Sequence, residues 1–371
     1  MHIALFCSGF TEESIRLQPW LTMIQVARLL AASDHAITLV TDGQPGRLPF
    51  PTQVFNSLRG SNNAAIRSWL DTAKPDRAII AVTPFSLVTG RWHRGIGRSR
   101  AWAYLAYGLY TPHELWIAWP YLSRWERWAY CRNLLVPAIL WRKQLEECFK
   151  GVICQSQRTG SRIGSSDFVK IIPPGIDLGF WTFSPASSKN NCSFLYLGGA
   201  IPIRGYEILL AAMQLLPPYI TLRMLARGLD AEDQTQLETK LAVRGLQERV
   251  FIRGGWLPRE ELRAEIQAVI AVVMPFVLVP SELPVSVLEV IAAGTPVIVS
   301  DIDGLPESVG DAGLVVPPGN VTALANAMQS LADDPIRVAA LRKNCLMKRS
   351  DFADWNAVGR TWSQLLQCEG T

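Results

Sequence analysis

An α/β protein made of two parallel-sheet domains facing a cleft is what these 371 residues predict. Three observations carry the prediction. Apolar runs of strand length alternate with helix-length stretches along the chain, and that alternation implies parallel sheets with right-handed crossovers. The pattern pauses at a polar, Pro-containing stretch, SPASSKNN (184–191), and then restarts. The length suits two ordinary α/β domains, and 49% hydrophobic with 18% charged residues describes a packed chain, not a disordered one.

The elements follow in order. The first half reads as strand His2 to Cys7, helix Leu21 to Ala32, strand Ala36 to Thr41, a helix near Asn63 to Ala73 and strand Arg77 to Thr83. A Trp-rich, basic stretch comes next. Then follow a helix near Val136 to Cys148, strand Gly151 to Gln155, a further helix start and strand Val169 to Ile172, with PPGID (Pro173 to Asp177) as a turn. The second half gives strand Ser193 to Leu197, helix Gly205 to Leu215, strand Ile220 to Leu225, helix Ala231 to Arg244, strand Val250 to Ile252 and a short helix around Arg259 to Gln267. Strand Val269 to Phe276, helix Pro284 to Ala293 and strand Pro296 to Ser300 make a βαβ unit. Helices near Thr322 to Ala332 and Ile336 to Met347 follow, and the last, around Trp355 to Gln367, is amphipathic. Two Rossmann-like domains result, 1–184 and 192–350, with a terminal helix in 351–371.

Composition narrows the class. Seven cysteines are scattered without a CxxC pair, which suits reduced thiols in a cytoplasmic protein and argues against a structural zinc site. The apolar start, MHIALFCSGF, has no basic leader and reads as a strand. The longest apolar run, near Ala268 to Pro280, is too short to span a bilayer. The net charge of +4 is unevenly placed: Arg91 to Lys143 holds nine Arg or Lys against two Glu, and seven of the thirteen tryptophans. Such a stretch suits three things: stacking on nucleic acid, an interfacial membrane surface, or an aromatic core with a solvated face.

Two constellations bear chemistry. In Ser281 to Glu289, Pro284 suits a first helical turn, and the amides of Val285, Ser286 and Val287 would face the preceding loop. A helix N-terminus carries partial positive charge and binds phosphate. Glu289, in the second turn, leans back toward it and can accept hydrogen bonds from sugar hydroxyls. In YLGGAIPIRG (Tyr196 to Gly205), Gly198 and Gly199 end a strand where a ligand can approach the backbone. Arg204 can neutralise diphosphate charge there.

These residues resemble the C-terminal signature of GT-B glycosyltransferases, and in particular the family 4 nucleotide-sugar transferases. The matching residues are Glu282, then Leu288, Glu289, Val290, Ile291, Ala292, Gly294, Pro296, Val297 and Ile298, with Gly304, Pro306 and Glu307 beyond. The resemblance implies the GT-B fold and transfer of a sugar from a nucleotide-diphosphate donor to an acceptor hydroxyl. It implies retention of anomeric configuration, no cofactor and no obligatory metal. Asp301 and Asp303 have the letters of a metal motif but follow a strand where the family holds none. Glu289 would hold the ribose; Glu282, with the backbone from Leu283 to Val285, would meet donor sugar and diphosphate. Six residues separate the two Glu here where the family usually has seven, so either a shorter loop still brings Glu282 in or Ser281 stands in its place.

The family loop resembles G-R-L-x-x-x-K-G, in which Arg and Lys grip the diphosphate. Arg204 takes the Lys position, while Gly199 stands where the Arg would be, and Arg227 is the candidate to compensate. The base would meet mostly backbone, around Arg227 to Gly228 and Phe251 to Gly255. On the acceptor side the resemblance points to His113 as a catalytic candidate, and to Met1, His2 and the loop Ser8-Gly9-Phe10 at the cleft. The acceptor is expected to be a glycan or lipid-linked molecule, and Arg91 to Trp128 to contact acceptor and membrane surface, not nucleic acid. The protein is then cytoplasmic, peripheral at the inner face of the membrane. The terminal helix would cross back to the N-domain. Two alternatives stay open: a nucleotide-sugar epimerase, or a non-catalytic scaffold.

Overall fold

The computed structural model describes residues 1–58, 64–105, 107–164, 167–183, 192–279 and 281–367. The stretch 184–191, expected as the linker, lies outside them. Two all-parallel sheets organise the chain. The first runs β3-β2-β1-β4-β5-β6-β7, from β1 (His2–Phe6), β2 (Ala36–Thr41), β3 (Thr52–Val54), β4 (Arg77–Val82), β5 (Ala101–Leu105), β6 (Gly151–Cys154) and β7 (Val169–Ile171). The second runs β10-β9-β8-β11-β12-β13, from β8 (Ser193–Gly199), β9 (Thr221–Arg227), β10 (Val250–Gly254), β11 (Ala271–Met274), β12 (Val297–Ser300) and β13 (Gly313–Val316). Helices cover both faces of each sheet, so every residue of β8, β11 and β12 is buried and these strands are mostly apolar.

In each sheet the strand order reverses once, between β1 and β4 and between β8 and β11. Ligand crevices in open α/β sheets form at the carboxyl ends of strands beside such a reversal. This overturns the expectation that Met1 and His2 face the cleft. They sit at the amino end of β1, where the His2 amide donates to Asp76 at 2.7 Å and its ring pairs with Thr38 at 2.9 Å. Only the loop after the strand, beginning at Cys7 and Ser8, reaches the crevice side.

The two domains are less separate than a break at 184 suggests. Ile176 and Trp181 pack in the second domain's core with Leu195 and Leu288. From the first domain, Leu115, Ala118 and Leu122 pack with Phe194 and Tyr196. The helix Trp355–Gln367 lies on the helix Trp20–Ala32: Trp362 stands edge-on to Tyr104, and the Leu366 carbonyl accepts from Arg77 at 2.8 Å. Its Gly359 rests against Leu29, where a side chain would collide.

β5 corrects the view of the Trp-rich stretch. AWAYL is a central, fully buried strand, and Trp92, Trp102 and Trp141 are core residues. The exposed aromatics belong to the helices that follow: Trp116 is 78% exposed and Trp125 66%. No helix among the described residues is long and apolar enough to cross a membrane.

Candidate active site

The second domain's crevice is built from the ends of β8, β9 and the helix Val285–Ala292. Gly199 pairs in register with Arg227, so the cation of β9 stands beside the position that lacks one. Arg204 follows in the short helical turn Pro202–Arg204. The next residue, Gly205, has φ +77°, and a Cβ there would run into the Pro275 carbonyl, so glycine is required for the loop to close onto β11. Gly228 after Arg227 also has positive φ, +75°. The two guanidinium groups interact: burial lowers the pKa of both, and Arg204 lowers that of Arg227 further. Arg204 stacks over Phe276 at 5.5 Å and Arg227 over Trp256 at 5.1 Å. Two partly buried cations side by side form an arrangement that an anion relieves.

The helix opposite begins one residue later than expected. Pro284 is its N-cap, with φ −68° and ψ 123°, and no side chain caps the turn. The Val287 amide bonds back to the Pro284 carbonyl at 3.1 Å, leaving the amides of Val285 and Ser286 as the turn's donors without a helical carbonyl. Glu289 follows one turn on. Trp181 donates its indole N–H to one carboxylate oxygen at 3.1 Å. Burial pushes the Glu289 pKa up to about 7, against the pull of the Trp181 bond, Arg259 and Arg227; nearby Asp177 pushes the same way as burial. Asp177 itself pairs with Arg259 at 3.0 Å.

Trp181 and Asp177 were not singled out in the sequence. The signal available was the PPGID turn followed by an apolar Phe-Trp pair ahead of the linker.

Glu282 is placed differently from Glu289. It is fully buried, in left-handed backbone with φ +64°. Its carboxylate accepts the Ser156 hydroxyl at 2.5 Å and the Gln155 amide at 2.9 Å, both from the first domain. Burial raises its pKa to about 7 despite these bonds. Its neighbours Ser281 and Leu283 share the tight loop through a 2.7 Å backbone bond. Asp303 is buried with φ +42°, and neither carboxylate oxygen has a hydrogen-bond partner among the described residues. Asp301 pairs outward with Arg158 at 2.6 Å.

Gly198, Gly199, Arg204, Arg227, Gly228, Pro284, Val285 and Glu289 are thus gathered at one crevice; Phe251 to Gly254 lie on the adjoining β10, and Gly255 follows it. His113 is not brought to them. It is exposed in the first turn of the helix Pro112–Ala118, whose Thr111–Glu114 capping box fixes the turn without it.

Two parallel-sheet domains, each with one reversal of strand order and with crevices at the carboxyl ends of the strands, are the architecture of the GT-B fold. Residues 191–334 match the family described as glycosyl transferases group 1. Solved structures agree on the fold. Sucrose-phosphate synthase from Thermosynechococcus elongatus superposes with a TM-score of 0.74 at 20% identity, covering 98% of both chains. Anabaena HepE in complex with UDP gives 0.74 at 18% identity over 99% of both. Among curated proteins, the O-antigen chain mannosyltransferase B of Escherichia coli is 34% identical over 45% of this chain and 44% of its own length. Glycogen synthase of Mycobacterium tuberculosis is 31% identical over 53% and 48%. The chain spans less than half the length of these two relatives.

Proposed function

We propose that the protein transfers a sugar from a nucleotide-diphosphate donor to an acceptor hydroxyl, in family 4 manner with retention and no obligatory metal, in glycan, cell-envelope or glycolipid synthesis. The observation that carries this is the convergence of Arg204, Arg227 and Glu289 around the uncapped helix start. Diphosphate charge grows on the leaving group as the sugar departs, and two guanidinium groups plus the Val285 and Ser286 amides supply the positive field to stabilise it. Glu289, with one oxygen held by Trp181, keeps the other for ribose hydroxyls. The sugar-transferring relatives support the same reading.

Thermal-shift titration with UDP-, GDP- and ADP-sugars tests it. One donor series should raise the melting temperature, and Glu289→Ala should lose that shift and all measurable transfer while melting as cooperatively as wild type. Normal turnover in Glu289→Ala would sink the assignment.

We also propose peripheral contact with a membrane surface. The helices Arg124–Leu134 and Ala138–Cys148 and the turn between them expose Trp125, Trp128, Leu135 and Ile139 among Arg124, Arg127 and Lys143. Aromatic and aliphatic groups ringed by cations suit an anionic headgroup layer. Co-sedimentation with phosphatidylglycerol vesicles, weakened by salt, is the expected result.

A further inference from the structure

A large cavity lies in the first domain, apart from the donor crevice. It measures about 710 Å³ and opens at the carboxyl ends of β1, β4 and β5. Its lining is mostly apolar. Phe6, Ile80, Val82 and Leu58 line its floor, and Trp92 and Trp141 its depth. Close packing leaves few voids larger than a water molecule in a protein interior, so a space of this size beside a switch point is built, not a defect.

The charged side chains that reach the cavity are already engaged by protein. Arg162 pairs with Glu114 at 2.7 Å and bonds the Leu109 carbonyl. Glu126 caps its own helix by accepting from Ser123 at 2.8 Å. Arg132 stacks on Phe85 at 4.8 Å and on Trp128 at 4.7 Å. Burial and the neighbouring Arg94 hold the pKa of His93 down at about 4, so that this wall is neutral at physiological pH.

The two ends of the cavity face different neighbours. At the inner end, Tyr110 bonds the Val279 carbonyl of the second domain, and Tyr130, 5.5 Å from Tyr110 ring to ring, interacts with Arg204. At the outer end, Trp125, Leu134 and Pro137 line the cavity from the helices whose other residues, Leu135 and Ile139, are 80% and 76% exposed. A continuous apolar path therefore joins an exposed apolar face to the edge of the donor crevice.

We propose that this cavity holds the hydrocarbon chain of the acceptor, so that the acceptor is an amphiphile presented with its hydroxyl at the Tyr110–Tyr130 end. The proposal rests on the transferase function given above and names its acceptor class. Binding of butyl, octyl and dodecyl glucosides below their micellar concentrations, followed by tryptophan fluorescence, is the first measurement. Affinity should rise about three- to fourfold per added methylene until the cavity is filled. Ala129→Trp fills the space from within the helix Arg124–Leu134 and should abolish that dependence; Thr89→Phe repeats the test from another wall should Ala129→Trp fail to fold. Nucleotide-sugar binding, measured in the same proteins, should be unchanged.

The second measurement is transfer of labelled sugar from the effective donor into a membrane lipid extract. Label should enter the organic phase with wild type and not with the filled variants. Chain-independent binding, or label appearing only on water-soluble acceptors, would overturn the amphiphile while leaving the transferase standing. Loss of all nucleotide-sugar binding in the wild type would instead overturn the function on which it rests.

Discussion

Asp303 shows how much a single residue can cost here. An unpaired buried carboxylate loses its hydration without compensation, and a non-glycine residue in left-handed backbone adds strain. Burial, then Glu282 and Glu114, push its pKa well above the ordinary 3.8. The native state therefore keeps a proton that the unfolded chain has released. Stability conferred at acid pH must fall as pH rises from 3.8 toward the native pKa. Asp303→Asn cannot ionise and tolerates the same backbone, so it should flatten that decline and raise stability near neutrality by about 1–3 kcal/mol. Denaturant melts of both proteins across this range decide it; parallel pH slopes would show Asp303 to be ionised in the native state. Glu289 has the same sign with a useful consequence. In its proposed role the ionised form accepts ribose hydroxyls best, so donor affinity should climb as pH rises through about 7 and level off above it.

At the scale of elements, the strand ends decide the chemistry. Arg227 ends β9 directly beside Gly199 of β8, and Arg204 closes the loop after it. In the proposed function both meet the diphosphate and not the nucleoside. Arg227→Ala should then weaken a nucleoside diphosphate by roughly tenfold to a hundredfold, the worth of a charge-assisted bond, and leave the bare nucleoside unaffected. Calorimetric titration of UDP or GDP against uridine or guanosine measures it, and equal losses for both would place Arg227 elsewhere. Much at this scale was legible in the sequence because it is local: short Val/Ile/Leu runs bounded by Gly and Pro are parallel strands, and a Pro before an apolar run marks a helix start. β5 was hidden because AWAYL sits within a basic, aromatic stretch, and only burial separates Trp102 in a sheet from Trp116 on a surface. The partners of the two site carboxylates were hidden for a different reason. Trp181 is 108 residues from Glu289, and Ser156 is 126 from Glu282, so no spacing rule connects them.

At the scale of the whole molecule, a small polar clasp joins the two domains. Glu282 takes the Ser156 hydroxyl and the Gln155 amide, Glu307 takes the Gln157 amide at 2.8 Å, and Arg158 meets Asp301. All the first-domain partners are consecutive residues at the start of the helix Gln157–Ile163, so one short segment locks onto three carboxylates of the other domain. In the proposed transferase, a clasp of this kind would hold the domains together over the reacting centre and keep water from it. The clasp and the expected contact with the donor sugar are two tasks for Glu282 that exclude each other at any instant. Ser156→Ala removes the stronger clasp bond without touching the donor crevice. It should loosen closure by about 1.5–3 kcal/mol, the worth of a hydrogen bond to a charged group. Water then competes better, and the ratio of donor hydrolysis to transfer should rise about tenfold or more, as that energy implies. Glu282→Gln weakens the clasp as well, but only a role at the sugar would also lower total turnover of the donor. Comparing hydrolysis plus transfer in the two variants separates the tasks: equal totals would make Glu282 a clasp alone, whereas an unchanged hydrolysis ratio in Ser156→Ala would show that the clasp does not govern access of water.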